Sequence, residues 1–280
     1  MSGIGVVTDS ACDLTPELVD EYDVHVVPLT VRFGDQEFVD REELPTKEFW
    51  DRLMTDRAMP ETAAPSPGAF QRVFLDVAES GAAGVVCITL SSKLSATYQS
   101  ARMAATDVSD RIPVRVVDSL SVSMGLGLMV MTAAQLVGEG HTLEEIIGKL
   151  SDVRRRTRLF AVLGSLDFLK RGGRIGGAQA FLGSLLSIKP VLEVRDGGVE
   201  AESRQRTRRR ALEYLAFKVL HAGRLEQLAV ASGPAFDADE LATLLSPADC
   251  LRDLVVSDLG PVIGAHAGPE TIGVAFQIAN

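Results

Sequence analysis

Aromatic residues are scarce in this chain, since they make up 5% of its 280 residues and include a single tryptophan. The core must therefore be built mainly from aliphatic side chains. Hydrophobic residues account for 46% of the chain and charged residues for 24%, close to the averages of globular proteins. This composition excludes wholesale disorder, and the length suits either two ordinary domains or one large one.

Cysteine is also rare, and its placement excludes two kinds of site. Cys12, Cys87 and Cys250 are widely spaced, with no Cys-x-x-Cys pair and no cluster with histidine. The pattern indicates neither a disulfide framework nor a metal site, and it favours a reducing compartment. The N-terminus lacks a basic segment followed by a long apolar stretch, so we expect no signal peptide. The most apolar helix candidate, 124–137, is too short to span a bilayer, and we predict a cytoplasmic protein.

Common catalytic motifs are missing. The sequence contains no Gly-x-Ser-x-Gly, no phosphate-binding Gly-x-x-x-x-Gly-Lys and no His-Glu-x-x-His. Gly125-Leu126-Gly127 matches the start of a dinucleotide fingerprint, but position 130 is valine and the glycines fall within a helix candidate. We therefore expect no cofactor.

Charge is distributed unevenly along the chain. The net charge of −10 disfavours nucleic acid as a partner and permits at most transient membrane contact. Residues 1–61 hold 15 acidic and 5 basic side chains, whereas residues 149–224 hold 17 basic and 7 acidic ones. The chain has only six lysines, and arginine suits planar contact with carboxylates or phosphates. A phosphate group or an acidic partner is therefore expected to face the second half.

Strands and helices alternate in the first half. Three short apolar runs each end in a polar turn, namely Asp9-Ser10, Ser91-Ser92 and Asp118-Ser119, and a helix follows each turn. This alternation predicts a parallel sheet, and ligands bind such sheets at the carboxyl ends of the strands. All three turns are expected to lie along that edge.

The pattern changes after about residue 158. A short helix at 166–170, a helix at 178–187 and a hairpin around Asp196-Gly197 are predicted, with further strands and helices after them. We predict an α/β protein with two domains. Residues 1–158 would form a parallel βαβ domain, and residues 159–280 would form a mixed α+β domain.

Three polar residues stand where a ligand can be reached. Ser95 precedes a predicted helix, where its hydroxyl can cap the helix, contact an anion, or both. Thr62 lies in the proline-rich segment 60–68, which is predicted to be an extended surface loop; its hydroxyl is either solvated or in contact with a ligand. His266, between Gly264 and Gly268 in a predicted turn, is either solvated or a donor to an anionic group.

Four arginines lie in or beside glycine-rich turns and hairpin ends: Arg171, Arg174, Arg204 and Arg206. They form either a solvated basic face or a surface for a phosphate or an acidic partner.

Taken together, the motifs resemble a known family across residues 3–280, the DegV family of bacterial fatty-acid-binding proteins. The segments that carry the resemblance occur in the family's order: Val7-Thr8-Asp9-Ser10, 62–67, 91–98, Asp118-Ser119, 123–127, 169–176, Lys189-Pro190 and the segment around His266.

The resemblance implies a two-domain carrier that is not itself an enzyme. A long-chain fatty acid, such as palmitate, stearate or oleate, would be buried between the domains and presented to a separate ATP-dependent fatty acid kinase, which forms the acyl phosphate. By motif position, Thr62, Ser95 and His266 would bind the carboxylate. A surrounding set would complete the head-group site: Asp9, Ser10, Ser92, Ser119 and Gly268. The four arginines would form the basic surface that meets the kinase.

The sequence departs from the family's usual pattern in two places. The loop reads Thr62-Ala63-Ala64-Pro65 where the family has Thr-Ser-Gln-Pro, and Ala96 replaces a glycine. The first change removes two polar groups beside the expected head group.

Two other functions compete with a carrier. One is a hydrolase or acyltransferase that acts on a lipid, with Ser95 or Ser10 as nucleophile and His266 as base. The other is a transcriptional regulator, suggested by the arginine-rich half and disfavoured by the net charge.

Overall fold

The computed structural model of the protein describes residues 3–56, 59–182 and 188–280. The elements of the first half are β1 (Ile4–Asp9), α1 (Pro16–Glu21), β2 (Val24–Val27), β3 (Thr30–Phe33), β4 (Gln36–Val39), α2 (Thr46–Thr55), β5 (Pro60–Ala63), α3 (Pro67–Glu79), β6 (Gly84–Thr89), α4 (Thr97–Asp107), β7 (Val114–Asp118), α5 (Ser123–Gly138) and α6 (Leu143–Arg156). The elements of the second half are β8 (Thr157–Leu163), α7 (Asp167–Arg171), β9 (Lys189–Arg195), β10 (Gly198–Gln205), α8 (Arg208–Leu220), β11 (Leu225–Ser232), α9 (Ala238–Leu245), β12 (Val255–Asp258), α10 (Pro261–Ala267) and β13 (Thr271–Ile278).

The first sheet is parallel throughout, with the strand order β2-β1-β6-β7. All six residues of β6 are buried, as a continuous apolar run in a parallel sheet covered on both faces requires. The polar turns meet at the carboxyl edge of this sheet, as predicted. The amide of Leu90 donates to Asp9 Oδ2 at 2.8 Å, and the amide of Ser119 donates to the carbonyl of Thr89.

A second, three-stranded sheet has the order β4-β3-β5 and is antiparallel, and the sequence did not predict it. Pro28 divides the apolar stretch 24–31 between β2 and β3. The prediction of a loop over 60–68 was wrong for its first four residues, because β5 pairs with β3 and sets Thr62 opposite Val31. Pro60 is tolerated there because β5 is an edge strand.

The second half builds a six-stranded mixed sheet, with the order β10-β9-β8-β13-β11-β12. The hairpin between β9 and β10 turns at Asp196 and Gly197, whose φ angles are 50° and 82°, as the Asp-Gly pair predicts for a type I′ turn. The helix predicted over 178–187 is a 3₁₀ helix over Gly176–Phe181, and residues 183–187 lie outside the described residues. The parallel sheet and the mixed sheet, with their helices, confirm the predicted α/β class. The domain boundary at residue 158 stays a prediction.

Helix α5 lies between the parallel sheet and the mixed sheet. Twelve of its 16 residues are buried, and it packs on β1 and β6 as well as on β11 and β13. A methyl group on Gly127 would lie 2.7 Å from the carbonyl oxygen of Cys12, so this glycine permits close packing of α5. Within the described ranges, no helix is both long and apolar enough to cross a membrane.

Candidate functional site

A largely apolar cavity lies where α10 and the parallel-sheet half meet the inner face of the mixed sheet. The volume that the centre of a water molecule can occupy inside the cavity is about 230 Å³. This is more than ten times the volume required for one buried water. Its lining is mostly aliphatic and includes Leu29, Leu90, Leu94, Val122, Leu192 and Val262. The cavity therefore fits an apolar molecule better than a polar one.

Strand alternation explains which residues form the floor. Along β8, Leu159, Ala161 and Leu163 face the cavity, whereas Phe160 and Val162 point to the other side and pack in a separate core. Ala161 pairs with Gly273 of β13, and both line the cavity. These two small residues leave room across the middle of the floor.

Two polar side chains of the described lining bond directly to each other. Thr62 Oγ1, from the edge strand β5, lies 2.8 Å from Nε2 of His266. The turn predicted around His266 is in fact the short helix α10, which begins at Pro261 in its first position, where proline is favoured. The helix ends at Gly268 (φ 82°), where a methyl group would lie 2.6 Å from the Phe168 ring.

Burial controls the charge of His266. Loss of solvation, followed by the positive charge of Arg174, lowers its pKa to about 4, so the imidazole is neutral at neutral pH. Its Nδ1 is buried and has no hydrogen-bond partner among the described residues. A methyl group on Gly172 would lie 2.3 Å from that nitrogen, so the backbone of the turn holds the ring in place.

Ser95 and Arg174 contribute two further polar groups to the lining. The hydroxyl of Ser95 accepts a hydrogen bond from the amide of Thr97 at 3.3 Å and lies 2.8 Å from that residue's hydroxyl. Helix α4 begins at Thr97 and Ala96 is its cap residue, so it starts one residue later than predicted. Arg174 Nε donates to the carbonyl of Leu94 at 3.1 Å. The structure thus brings Thr62, Ser95, His266 and Arg174 to one cavity.

The other three arginines lie away from the cavity lining. Arg171 and Arg206 are exposed. Arg204 is also exposed, donates to the carbonyl of Ala180 at 3.0 Å and lies 4.8 Å from the centre of the Phe181 ring. The four arginines therefore do not form one surface. Arg174 lines the cavity, whereas the other three face solvent.

The predicted surrounding set does not reach the cavity lining: Asp9, Ser10, Ser92, Ser119 and Gly268. The side chains of Asp9, Ser10 and Ser119 bond instead to nearby backbone, and Ser92 bonds through its own backbone amide. Asp9 accepts from the amides of Ala11 and Leu90, and Ser10 accepts from the amide of Leu29. The amide of Ser92 donates to Asp118, and Ser119 bonds to the backbone of Ser121. These residues shape the sheet edge, and Gly268 ends α10.

Two hydroxyl residues in the lining were not singled out as site residues from the sequence. Ser123 begins α5 and donates to Asp13 Oδ2 at 2.6 Å, and Thr271 donates to the carbonyl of Ala267 at 2.8 Å. Alternation along β13, which places residues 271 and 273 on one face, could have indicated Thr271. The left-handed φ of 50° at Ser123 had no sequence signal.

The arrangement does not form a catalytic triad. The ring of His266 bonds to Thr62 and not to Ser95, and within the described ranges no carboxylate bonds to its Nδ1. A Ser-His-carboxylate triad has both contacts. No group of three or more His, Cys, Asp or Glu side chains that could hold a metal ion occurs in the part of the chain described.

Comparison with known proteins identifies the family. The sequence profile of the DegV family, described as uncharacterised proteins, matches residues 3–279. The chain belongs to the DegV family. A DegV domain-containing protein of Deinococcus radiodurans is 38% identical over 281 residues, with 98% of each chain covered.

Solved DegV structures share the whole fold. A fatty-acid-binding DegV protein from Thermus thermophilus superposes with a TM-score of 0.89 at 38% identity, covering 99% of this chain and 100% of that one. A stearic-acid-binding protein from Eubacterium ventriosum has a TM-score of 0.85 at 27% identity, with 98% of each chain covered. The resemblance inferred from the motifs is therefore confirmed at the level of family and fold.

Proposed function

We propose that the protein binds a long-chain fatty acid in the cavity between its two large sheets. The observation that carries this proposal is the combination of an aliphatic cavity with polar groups from Thr62, Ser95, His266 and Arg174 in its lining. Each buried methylene of an acyl chain contributes roughly 0.8 kcal/mol, so the apolar lining supplies most of the affinity. Fatty acid binding by DegV relatives of the same fold supports the assignment.

The head group is held mainly by neutral donors. The hydroxyls of Thr62 and Ser95 can donate to a carboxylate, and His266 is neutral because its pKa is lowered to about 4. Hydrogen bonds to a charged acceptor are worth about 1.5–3 kcal/mol each, enough to orient the carboxylate. Because neutral donors hold it without a strong ion pair, the carboxylate is left able to react.

We further propose that the protein is a carrier that presents the carboxylate to a separate fatty acid kinase in the cytoplasm. The support is the lack of an activated serine in the described site, together with exposed arginines at positions 171, 204 and 206. Arginine on an open surface suits an acidic partner or a phosphate. The kinase would supply ATP, and the fatty acid would receive the phosphoryl group on its carboxylate.

Two measurements test the proposal. Native mass spectrometry of the purified protein is expected to show one co-purified fatty acid per chain, which organic extraction releases and added oleate restores. Added ATP and a purified fatty acid kinase should then convert the bound fatty acid to its acyl phosphate. The carrier proposal fails if the protein alone hydrolyses p-nitrophenyl palmitate and Ser95→Ala abolishes that turnover. It also fails if the delipidated, folded protein does not bind oleate.

A further inference from the structure

The start of helix α10 is held by the carboxylate of Asp13, which lies 247 residues earlier in the chain. Asp13 stands in the turn after β1, has a left-handed φ of 53° and is fully buried. Its Oδ1 accepts a hydrogen bond from the amide of Gly260 at 2.9 Å. Gly260 is the cap residue of α10 and has no side chain of its own to cap the helix, and a negative charge at a helix N-terminus is favourable. Asp13 therefore caps α10 from a distant part of the chain.

The same carboxylate reaches the lining of the fatty acid cavity. Its second oxygen, Oδ2, accepts from the hydroxyl of Ser123 at 2.6 Å, and Ser123 both begins α5 and lines the cavity. The backbone carbonyl of Asp13 accepts from the hydroxyl of Ser257 on β12. One buried residue thus joins α5, α10 and β12.

The charge of Asp13 is compensated inside the protein. Arg41 donates to Oδ1 of Asp13 at 3.0 Å and to the carbonyl of Leu14 at 2.7 Å. Burial raises the pKa of Asp13, and the charge of Arg41 and the hydrogen bonds from Ser123 and Gly260 oppose that rise. The carboxylate accepts from three segments that are far apart in the chain, so these bonds fix where the three segments meet.

The packing of α10 on its other side is less directional. Gly264 lies against the rings of Phe49 and Trp50, and a methyl group at this position would be 2.6 Å from an atom of each ring. The attraction between apolar groups is non-directional, so these rings do not by themselves set the helix along its axis. The hydrogen bond to Asp13 does.

The position of α10 matters because this short helix forms part of the cavity wall. Four of its seven residues line the cavity: Val262, Ile263, His266 and Ala267. Nε2 of His266 lies 2.8 Å from the hydroxyl of Thr62. We propose that Asp13 is the positioning residue of this site, whose carboxylate fixes α10 against α5 and so holds the ring of His266 beside Thr62. As a role in fatty acid binding, this rests on the proposed function.

NMR titration of the His266 ring in the delipidated, full-length protein tests the positioning, with His266→Gln to assign the signal. In Asp13→Ala the start of α10 is released and the ring gains water, so its pKa should rise from about 4 towards 6.5. The lost charge does not act directly, because among the described residues the charge that acts on the ring is that of Arg174. Asp13→Asn keeps an oxygen for the amide of Gly260 and should hold the pKa of the ring close to that of the parent. A residue that serves only overall stability would leave the ring pKa of the folded protein unchanged.

The affinity for oleate should follow the same order. Asp13→Ala should weaken binding about tenfold, which corresponds to one lost hydrogen bond to a charged acceptor, and Asp13→Asn should weaken it less than about threefold. Asp40→Asn is the matched control, because Asp40 is also a buried carboxylate but lies outside the lining of the fatty acid cavity. This control should change neither the ring pKa nor the affinity.

Gly260→Ala keeps the test decisive if Asp13→Ala fails to fold. Alanine accepts the φ of −72° at this position, but its methyl group would lie 2.8 Å from Oδ1 of Asp13 and 2.6 Å from Nη2 of Arg41. The start of α10 must then move away, so the ring pKa should rise and oleate should bind more weakly. Gly138→Ala on α5 adds a methyl group with no atom within 4 Å and should change neither quantity.

The proposal is overturned if folded Asp13→Ala or Gly260→Ala keeps the ring pKa of the parent. It is equally overturned if Asp40→Asn raises that pKa as much as Asp13→Ala does. Because the ring is titrated without lipid, a parent protein that fails to bind oleate would overturn the proposed function and not the positioning of His266.

Discussion

The hydroxyl of Thr62 lies 2.8 Å from Nε2 of His266, although 204 residues separate the two in the chain. This contact joins the edge strand β5 to helix α10 across the wall of the cavity. It also bears on the tautomer of the ring, because Nδ1 is buried without a partner among the described residues. A buried orphan N–H is rarer than an under-satisfied acceptor, so we expect the proton on Nε2. His266 then donates to Thr62, whose own hydroxyl hydrogen is free for a carboxylate.

The first prediction concerns the two hydroxyls. Thr62→Val and Ser95→Ala should each weaken fatty acid binding by about 1–2 kcal/mol, since each removes a hydrogen bond to a charged acceptor. Titration of delipidated protein with a fluorescent fatty acid measures the loss. Ser92→Ala is the matched control. The side chain of Ser92 lies outside the cavity lining, so this variant should bind the fatty acid with the affinity of the parent. Equal losses in Ser92→Ala and Ser95→Ala would show that the cavity does not hold the head group.

The second prediction concerns the pH dependence of stability. Folding lowers the pKa of His266 from 6.5 to about 4, so the native state favours the neutral ring. The ring therefore contributes stability above pH 6.5, and this contribution is lost as the pH falls towards 4. His266→Gln cannot titrate, so its free energy of unfolding should fall less than that of the parent over this interval. Urea unfolding at pH 7, 6, 5 and 4 measures both curves, and parallel curves would contradict the burial of a neutral ring.

The effect of the nearby Arg174 on the pKa of His266 can be measured separately by NMR titration of the ring. Arg174 is the second cause of the lowered pKa, after burial. Arg174→Met should therefore raise the pKa of the ring without restoring it to the ordinary value. An unchanged pKa in this variant would show that the guanidinium does not act on the ring.

Local sequence patterns predicted most strands and helices of the parallel and mixed sheets, but they did not predict the three-stranded sheet or the site. Alternation and Asp-Gly chemistry predicted the parallel sheet and the β9–β10 hairpin, because both depend on neighbours in sequence. The Thr62–His266 contact depends on the pairing of β5 with β3. Strand β5 was not predicted, because the prolines of the 60–68 segment favour a loop. The family resemblance nominated Thr62, Ser95 and His266, and the structure places all three in one cavity lining.

The residues predicted at the head group but found outside the cavity lining also show that local sequence does not reveal the site. The family resemblance implies that Asp9 and Ser10 lie near a head group, at an edge where parallel strands end. The structure uses them to bind the amides of Leu90 and Leu29 at that edge. A polar side chain after a strand can bind either a ligand or a backbone amide, and the local sequence does not distinguish the two. Arg174 was grouped with the exposed arginines for a similar reason, since burial is not visible in a glycine-rich turn.

The third prediction uses a glycine as a steric probe. A methyl group at position 172 would lie 2.3 Å from Nδ1 of His266, so Gly172→Ala should displace the ring and weaken fatty acid binding. Gly148→Ala is the matched control, because that glycine lies in α6 with no atom within 4 Å of an added methyl group. The control should keep full affinity and gain about 0.5–1 kcal/mol of stability. Full affinity in Gly172→Ala would mean that the ring position does not matter to binding.

The fourth prediction concerns the floor of the cavity. Gly273 pairs with Ala161, and an added methyl group would contact the Phe160 carbonyl at 3.3 Å and Ala161 Cβ at 3.7 Å. Because the contact with the carbonyl is tight, Gly273→Val should lower stability somewhat; it should also fill part of the cavity, so the bound fatty acids should become shorter. Native mass spectrometry of parent and variant from the same strain compares the co-purified chains. An unchanged distribution of chain lengths would place the acyl chain elsewhere.

The last prediction separates lipid binding from partner docking. Arg171 and Arg204 are exposed and lie outside the lining of the fatty acid cavity, whereas Arg174 belongs to that lining. Arg171→Ala and Arg204→Ala should therefore leave the affinity for the fatty acid within about twofold of the parent, because exposed charges contribute little at a distance. Both should slow acyl phosphate formation by a purified fatty acid kinase, and in the parent this rate should fall steeply with salt, as expected for electrostatic docking.

Arg209→Ala, an exposed arginine paired with Glu213 on α8, is the charge-matched control and should change neither quantity. Arg174→Ala should instead weaken lipid binding and phosphorylation together. If Arg171→Ala and Arg204→Ala lose lipid binding in proportion to phosphorylation, these arginines serve the fatty acid site and the docking surface must lie elsewhere.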